Sequence, residues 1–335
     1  MRKATKVLSI LVLGLLLAAM SAAVYADAQV TVWILSGGSN GTKGAAYRSQ
    51  WVGEIPIQIG SGTPSETTTA YCIDSELVFT SMTYQAMLGT VPDDAAWRGA
   101  SYILTWYHPP LDNDAAVMNQ VAIWRLLGGM QNCWEAYWLP AELENAGIAL
   151  ADTAYGKDVV REGDVLQWVE PITSNQSSVV AEPGEILTFK AMLTDAAGTP
   201  RPNVRILFSA ILTPGGIELD LAHLYPSETH TDNDGIAEVT VQVPSDIQHG
   251  SRIEVKASTK SVWPQLYLDI DDQRQQDLVG IGTSYGLTVS TNVCVLGYIM
   301  VVPEVPLGTL TAGVACALAF IYWNMSKRLK TQRVR

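Results

Sequence analysis

Residues 113–129, NDAAVMNQVAIWRLLGG, carry the pattern around which the rest of the chain is arranged. They predict a helix with a start, a face and a stop. Asp112 or Asn113 offers a side-chain oxygen to the first unpaired N–H groups, and Asp114 complements the positive end of the helix dipole. Gly128 and Gly129 close it, because glycine takes up the left-handed turn at a helix end without steric cost. At about 100° per residue, Ala116, Val117, Val121, Ile123, Trp124 and Leu127 fall on one apolar arc. Gln120 sits in the middle of that arc, with Asp114 and Arg125 opposite. A primary amide on a buried face needs partners, since leaving it unpaired costs about 1–3 kcal/mol. Two partners would serve: nearby backbone, as for an ordinary core glutamine, or a cysteine thiol from elsewhere in the chain.

The chain has 335 residues, enough for two ordinary domains plus targeting segments. Its formal net charge of −12 conceals an asymmetry. Arg2, Lys3 and Lys6 precede residue 27; Lys327, Arg328, Lys330, Arg333 and Arg335 follow residue 326; every acidic residue lies between. Phosphate neutralisation needs clustered cations, so nucleic acid is excluded as a partner. Solvation of the surface accounts for the acidity.

Residues 1–26 have a basic start, an apolar stretch from Val7 to Ala19, and Val24, Tyr25 and Ala26 before a cleavage point. This is the order of a secretory signal peptide, and the mature chain is expected to begin near Asp27. At the other end, Leu307 to Trp323 carries no charge and reaches the length of a membrane-spanning helix. The basic residues beyond it would hold the tail on the cytoplasmic side, leaving 27–302 outside. Pro303, Glu304 and Val305, the apolar run and the basic tail together resemble the PEF-CTERM class of archaeal sorting signals, with Val305 where that family usually has Phe. The resemblance implies removal of the helix by an archaeosortase and attachment to a lipid. A plain single-span anchor is the alternative, and both imply a cell-surface protein.

The first domain is expected over residues 27–171. Val30 to Ile34, Ile55 to Ile59 and Thr67 to Asp74 read as strands, with a loop at Gly37 to Gly41 and a glycosylation sequon at Asn40. Alternation puts Ala70, Cys72 and Asp74 on one face, Tyr71 and Ile73 on the other. Asp93 or Asp94 caps a helix bearing Trp97, Ala100, Ile103, Leu104 and Tyr107, stopped by His108, Pro109 and Pro110. After the Gln120 helix, Pro140 opens a third, with Leu143, Ile148 and Leu150 as its apolar positions. Val165 to Val169 then returns to strand.

Tyr71-Cys72-Ile73-Asp74 together with Gln120-Val121-Ala122-Ile123-Trp124 resembles the thioester, or TQXA, domain of cell-surface adhesins. That family has an aromatic residue before the strand cysteine and Thr-Gln-x-Ala-Ile/Val-Trp on the helix. Asn119 here stands in the place of the Thr. The resemblance implies that the Cys72 thiol displaces ammonia from the Gln120 carboxamide, forming a γ-glutamyl thioester that an amine on a surface protein or glycan can open. It implies a covalent binder with no cofactor, and not a turnover enzyme.

The residues leave another course open for Cys72. An oxidising exterior permits a disulfide with Cys133, and three extracellular cysteines, 72, 133 and 294, cannot all pair within one chain. Cys316 lies in the apolar span, where a small packing residue is expected. The alternative to an adhesin is therefore a non-covalent structural protein of the cell envelope, with Cys72 as a plain thiol or in a disulfide. His108, before two prolines, reads as structural. Nucleophile-elbow, metal-spacing and phosphate-loop motifs are absent from the sequence.

Residues 172–300 are expected to form a second domain, beginning with a polar junction that carries a sequon at Asn175. Ile186 to Leu193, Val204 to Leu212, Ala237 to Val243, Ile253 to Ser258 and Leu287 to Val295 alternate with turns at the spacing of a β-sandwich. Pro183-Gly184, Asp195 to Pro200, Val204 to Phe208 and Thr231 to Ala237 resemble invasin-type Ig-like domains. Residues 263–286 fit that pattern less well and are expected to be an elaborated loop. The fold class is thus mainly β: a β-rich thioester domain with a helical insertion, then an Ig-like sandwich acting as a stalk. A signal peptide and a C-terminal segment, 301–335, holding a transmembrane helix and basic tail flank the two.

Overall fold

The computed structural model describes residues 29–35, 42–47, 50–73, 83–128, 139–171, 178–213, 215–248, 250–270 and 277–296. The expected signal peptide and anchor, the sequons at Asn40 and Asn175, and Cys133 and Cys316 lie outside them. Among the described residues no helix is long and apolar enough to cross a membrane.

The first strands are β1 (Gln29–Ile34), β2 (Gly44–Tyr47), β3 (Gln50–Gly53), β4 (Ile55–Gly60), β5 (Glu66–Cys72) and β6 (Thr83–Gly89). Helices α1 (Ala95–Trp106), α2 (Asn113–Leu127) and α3 (Ala141–Ala154) follow. Next come β7 (Val165–Glu170), β8 (Ser178–Ala181), β9 (Ile186–Thr194), β10 (Arg205–Thr213), β11 (Ile217–Glu218), β12 (Leu224–Tyr225), β13 (Glu228–His230) and β14 (Ile236–Gln242). Two long strands, β15 (Arg252–Asp269) and β16 (Leu278–Val295), end the series. The expected mainly-β class holds.

The long pair decides the architecture. β15 and β16 are antiparallel partners along nearly their whole length, and their far halves gain new neighbours on their outer edges. Leu266 to Asp269 pair with β6, while Leu278 to Gly280 pair with β5. Following the pairings β15–β6–β1–β4–β5–β16 and back to β15 closes a ring. The first body is therefore a small antiparallel barrel of six strands, and closure removes its exposed edges. Val32, Ile34, Ile57, Ala70, Cys72, Tyr84, Ala86, Tyr267 and Leu278 share its interior cluster, which Val117, Val121 and Trp124 of α2 also join.

At the near end, β15 and β16 join β8, β10, β11 and β13, opposite the sheet β12-β14-β9-β7. Phe189, Leu193, Ile206, Phe208, Val239, Val241, Ile253, Val255 and Val293 fill the space between, making a two-sheet sandwich. Lys190 and Asn292 lie in different sheets of it, and Lys190 is paired with Glu170 at 2.7 Å.

Three expectations change here. Within the stretch 263–286, the described residues up to Asp269 and from Leu278 onward are not loop: they are the strand segments that close the barrel. Their alternation breaks where the register shifts between Val262 and Pro264 and where glycines are needed. A Cβ on Gly282 would stand 2.3 Å from the Trp263 carbonyl oxygen, and one on Gly280 2.7 Å from the Tyr267 ring. Val165 to Val169 likewise pairs with β9 in the sandwich rather than returning to the first body. On α3 the buried residues are Gly147, Ala151 and Ala154, with Leu143, Ile148 and Leu150 half-buried beside them. The reason is close approach to α2, where a Cβ on Gly147 would meet the Val121 Cβ at 2.6 Å. Strands β2, β3 and β6 had no counterpart in the sequence reading.

Ionic and polar contacts tie the helices to the sandwich. Arg161 reaches Asp93 at 2.6 Å, and Arg201 reaches Asp158 at 3.1 Å and Asp164 at 3.5 Å. Thr105 accepts the Val262 N–H at 2.8 Å, and the Tyr102 hydroxyl meets His230 Nε2 at 3.2 Å. Burial, then Lys157 and Arg205, lower the His230 pKa from 6.5 to about 4. The unfolded chain thus binds the extra proton first, so this contribution is present above pH 6.5 and is lost as pH falls towards 4. Urea midpoints measured across that window should fall with acidification, and His230→Gln should flatten the slope.

The shared hairpin also predicts cooperativity. A chain ending at residue 171 lacks β16, one partner of β5, and β15, one partner of β6, and circular dichroism should find no cooperative urea transition in it. A chain ending at residue 296 should unfold in a single transition.

Candidate functional site

The site begins with a strand that loses a neighbour. Ala70 and Cys72 face the barrel interior, and Tyr71 faces the helices, as alternation predicts. One edge of β5 is covered by β16, with Cys72 opposite Leu278. On the other edge, pairing with β4 ends at Ile55 opposite Ala70. Beyond it the chain turns away through Glu54 and Gly53, whose φ of 130° suits glycine. Among the described residues no strand meets the Cys72 N–H and C=O on that side.

Gln120 takes that place. Its Oε1 accepts the Cys72 N–H at 3.0 Å, and its Nε2 donates to the Cys72 carbonyl at 2.7 Å. The amide thus pairs with one residue of backbone as a neighbouring strand would. Cys72 is 4% exposed and Gln120 1%, so both groups are out of water. Among the described residues Cys72 and Cys294 form no disulfide.

Helix α2 holds the amide in position by its ends and its burial. Asp112 accepts the Ala115 N–H at 2.8 Å, and Gly128 closes the helix at φ 93°. The single apolar arc gives way to burial nearly all round, including Asn119 and Ala122, while Leu127 is only half-buried. Packing against the barrel, α1 and α3 together leaves little of the helix in contact with water. Asn119 uses its Nδ2 to donate to the Tyr107 carbonyl at 2.8 Å, which fixes the loop after α1.

Two groups near Tyr71 were not assigned a role from sequence. Glu54 is 4% exposed, and its Oε2 accepts the Lys43 N–H at 2.8 Å. His108 sets Nδ1 3.0 Å from Glu54 Oε1, within ion-pair range but not aligned for a hydrogen bond. The imidazole stands edge-on to the Tyr71 ring, centroids 6.4 Å apart. A lone acidic residue between the apolar runs WV and IPI was the available signal for Glu54.

Burial pushes the Tyr71 phenol above its usual pKa, Glu54 adds to the rise, and nearby Asn119 opposes it. Tyr84 is raised chiefly by burial and then by Cys72, Asp277, Asp269 and Tyr267. Both phenols therefore stay protonated across the physiological range. Tyr71 Oη, Tyr84 Oη and Trp124 Nε1 have no hydrogen-bond partner among the described residues. A reactive centre can use such unspent donors, although each is a cost in the resting fold.

No family model and no curated protein matches the chain. Among solved structures it is similar to the Bacillus anthracis TIE protein, with 12% identity and a TM-score of 0.33. That match covers 80% of this chain and 49% of the other, so this chain spans about half of that protein's length. It is also similar to the thioester domain of the Enterococcus faecium TIE86 protein, at 15% identity and a TM-score of 0.32, covering 80% and 96%. Likeness of this degree has no bearing on the chemistry.

Replacing Gln120 with leucine would leave the buried Cys72 N–H and C=O unpaired. At about 1–3 kcal/mol for each orphaned group, Gln120→Leu should destabilise the fold by at least about 2 kcal/mol in urea unfolding. An unchanged midpoint would show that those groups find other partners.

Proposed function

We propose that Cys72 and Gln120 form an internal γ-glutamyl thioester, and that the chain is a surface-anchored, adhesin-like protein that uses it to bind a partner covalently. The observation that carries this reading is the reciprocal pair of hydrogen bonds, at 3.0 and 2.7 Å, between the Gln120 amide and the Cys72 backbone. They hold the carboxamide against the residue that bears the thiol, and fixed proximity of this kind lowers the barrier to a slow amide attack. The Cys72 N–H also polarises the carbonyl, as an oxyanion donor does. Burial keeps water from competing.

Sulfur bonds to Cδ of Gln120, the C–N bond breaks, and the thiol proton leaves with the nitrogen as ammonia. A primary amine on a surface protein or glycan can later attack the same carbon. The C–S bond then breaks, Cys72 recovers its thiol, and an amide links the two molecules. One event consumes the electrophile, so the protein is not a turnover enzyme. In this reading the signal peptide over 1–26 exports the chain and the segment over 301–335 anchors it, as a helix or, after archaeosortase-type processing, through a lipid. The sandwich then acts as a stalk on the cell surface.

One observation favours a plainer reading. Both polar ends of the Gln120 amide are already satisfied by backbone, as in an ordinary core glutamine. The chain would then be a non-covalent structural protein of the envelope. Intact mass separates the two. A thioester leaves purified full-length chain short by one ammonia, Cys72→Ala restores the mass, and methylamine adds to Gln120 while releasing a thiol that maleimide can label. Full mass in fresh protein, with no methylamine adduct, rules the thioester out.

A further inference from the structure

We propose that the backbone carbonyl of Cys72 sets the nucleophile specificity of this site, selecting primary amines over secondary amines and hydroxyls. The inference rests on the thioester reading. Along β5, successive residues turn their backbone groups to opposite edges. Tyr71 stands opposite Val279 of β16, and the Ile73 N–H donates to the Asp277 carbonyl at 3.0 Å on that same edge. The groups of Cys72 therefore face the edge that β4 has left, where the Gln120 amide stands. There the Cys72 N–H donates to Oε1 at 3.0 Å, and the Cys72 C=O accepts from Nε2 at 2.7 Å. One residue of backbone thus addresses separately the two atoms bonded to Cδ that the chemistry treats differently.

Thioester formation keeps the oxygen and expels the nitrogen as ammonia. The Cys72 N–H retains its acceptor, whereas the Cys72 C=O loses the donor that Nε2 provides. Cys72 is 4% exposed and Gln120 1%, so solvent is a poor substitute, and a buried acceptor deprived of its donor is costly. Satisfaction of the strand edge explains the reciprocal bonds while glutamine is present. It does not extend to the thioester, which holds a vacancy for an N–H at the place where Nε2 stood. A nucleophile that brings an N–H back regains the bond in the tetrahedral intermediate, where the nitrogen is pyramidal and free to turn while the Cys72 N–H holds the oxyanion. An interaction regained at that point raises the rate.

Counting protons gives the selectivity. Attack on Cδ of Gln120 forms one bond to the nucleophile and breaks the C–S bond, and one proton from the nucleophile ends on the Cys72 sulfur. A primary amine has a second N–H, which stays on nitrogen and donates to the Cys72 carbonyl. A secondary amine or an alcohol has only the proton that sulfur takes, and the tertiary amide or ester it forms presents no donor. Water carries two protons, but burial keeps it out, and the acid it would form ionises to set acceptor oxygens against a carbonyl. A site built to hydrogen-bond an N–H rejects the analogue lacking it more strongly than a pocket that sorts by shape.

The test uses two amines of identical composition, ethylamine with two N–H bonds and dimethylamine with one. Full-length protein, first shown by intact mass to lack one ammonia, is opened by each, and thiol release is timed. A small γ-glutamyl alkyl thioester in solution, treated alike, reports their intrinsic reactivity. The ethylamine-to-dimethylamine rate ratio should be about tenfold larger on the protein, the worth of one hydrogen bond. Carbon-13 labelling of the cysteine carbonyls supplies a second readout by infrared difference spectroscopy. Opening with ethylamine should shift a labelled carbonyl band to lower frequency, as a new donor does, and opening with dimethylamine should not. Equal ratios on the protein and the small thioester, or a larger ratio without the shift, overturn the inference while leaving the thioester standing. Fresh protein with no missing ammonia overturns the thioester reading, and this one with it.

Discussion

One gap in a hydrogen-bond ladder governs this molecule. The β4 strand leaves β5 after Ala70, so the N–H and C=O of Cys72 would be buried and unpaired on that edge. Backbone groups in that position demand partners, and no water reaches them. The Gln120 amide supplies both at once, 48 residues along the chain. This need explains why a polar side chain stands on a face that is otherwise apolar. It also explains why α2 is pinned so firmly by Asp112, Gly128 and the close contact of Gly147 with Val121. Structure and chemistry share one requirement here, since what satisfies the strand also holds an amide carbon beside a cysteine.

The second constraint is closure. Three of the six barrel pairings, β6–β1, β1–β4 and β4–β5, lie within the first part of the chain, but the ring closes only when β15 and β16 arrive from much later in sequence. Leu278, the strand partner of Cys72, belongs to the same continuous strand as Val295 in the sandwich. The edge bearing Cys72 and the sandwich are therefore joined through one run of backbone, not through a flexible linker. Force applied at the C-terminal end of β16 would be carried along its hydrogen bonds in shear to the strand bearing Cys72.

Much of this was legible in particular residues. Asp94 and Asp112 cap the helices they were expected to cap, Gly128 ends α2, and Pro140 opens α3. Local signals succeed because capping and turn chemistry act within a few residues. The loop expected over 263–286 failed for the opposite reason. Pro264 and the glycines at 280 and 282 read as irregular locally, yet they are what lets a long strand bend from one body to the other. Small residues on α3 misled in the same way, because Gly147 and Ala151 are buried by the closeness of α2 and not by their own hydrophobicity.

By itself the sequence determined the mainly-β character, the three helices and their ends, and the pairing of Cys72 with Gln120 as the residues to watch. Each depends on patterns and motifs short enough to be read along the chain. Only the tertiary structure decided that the first body is a closed barrel, that its last two strands come from beyond the sandwich's first strands, and that Glu54 and His108 meet. Those facts depend on which distant segments share an edge. A chain read in one dimension carries no record of that contact until the strands are paired.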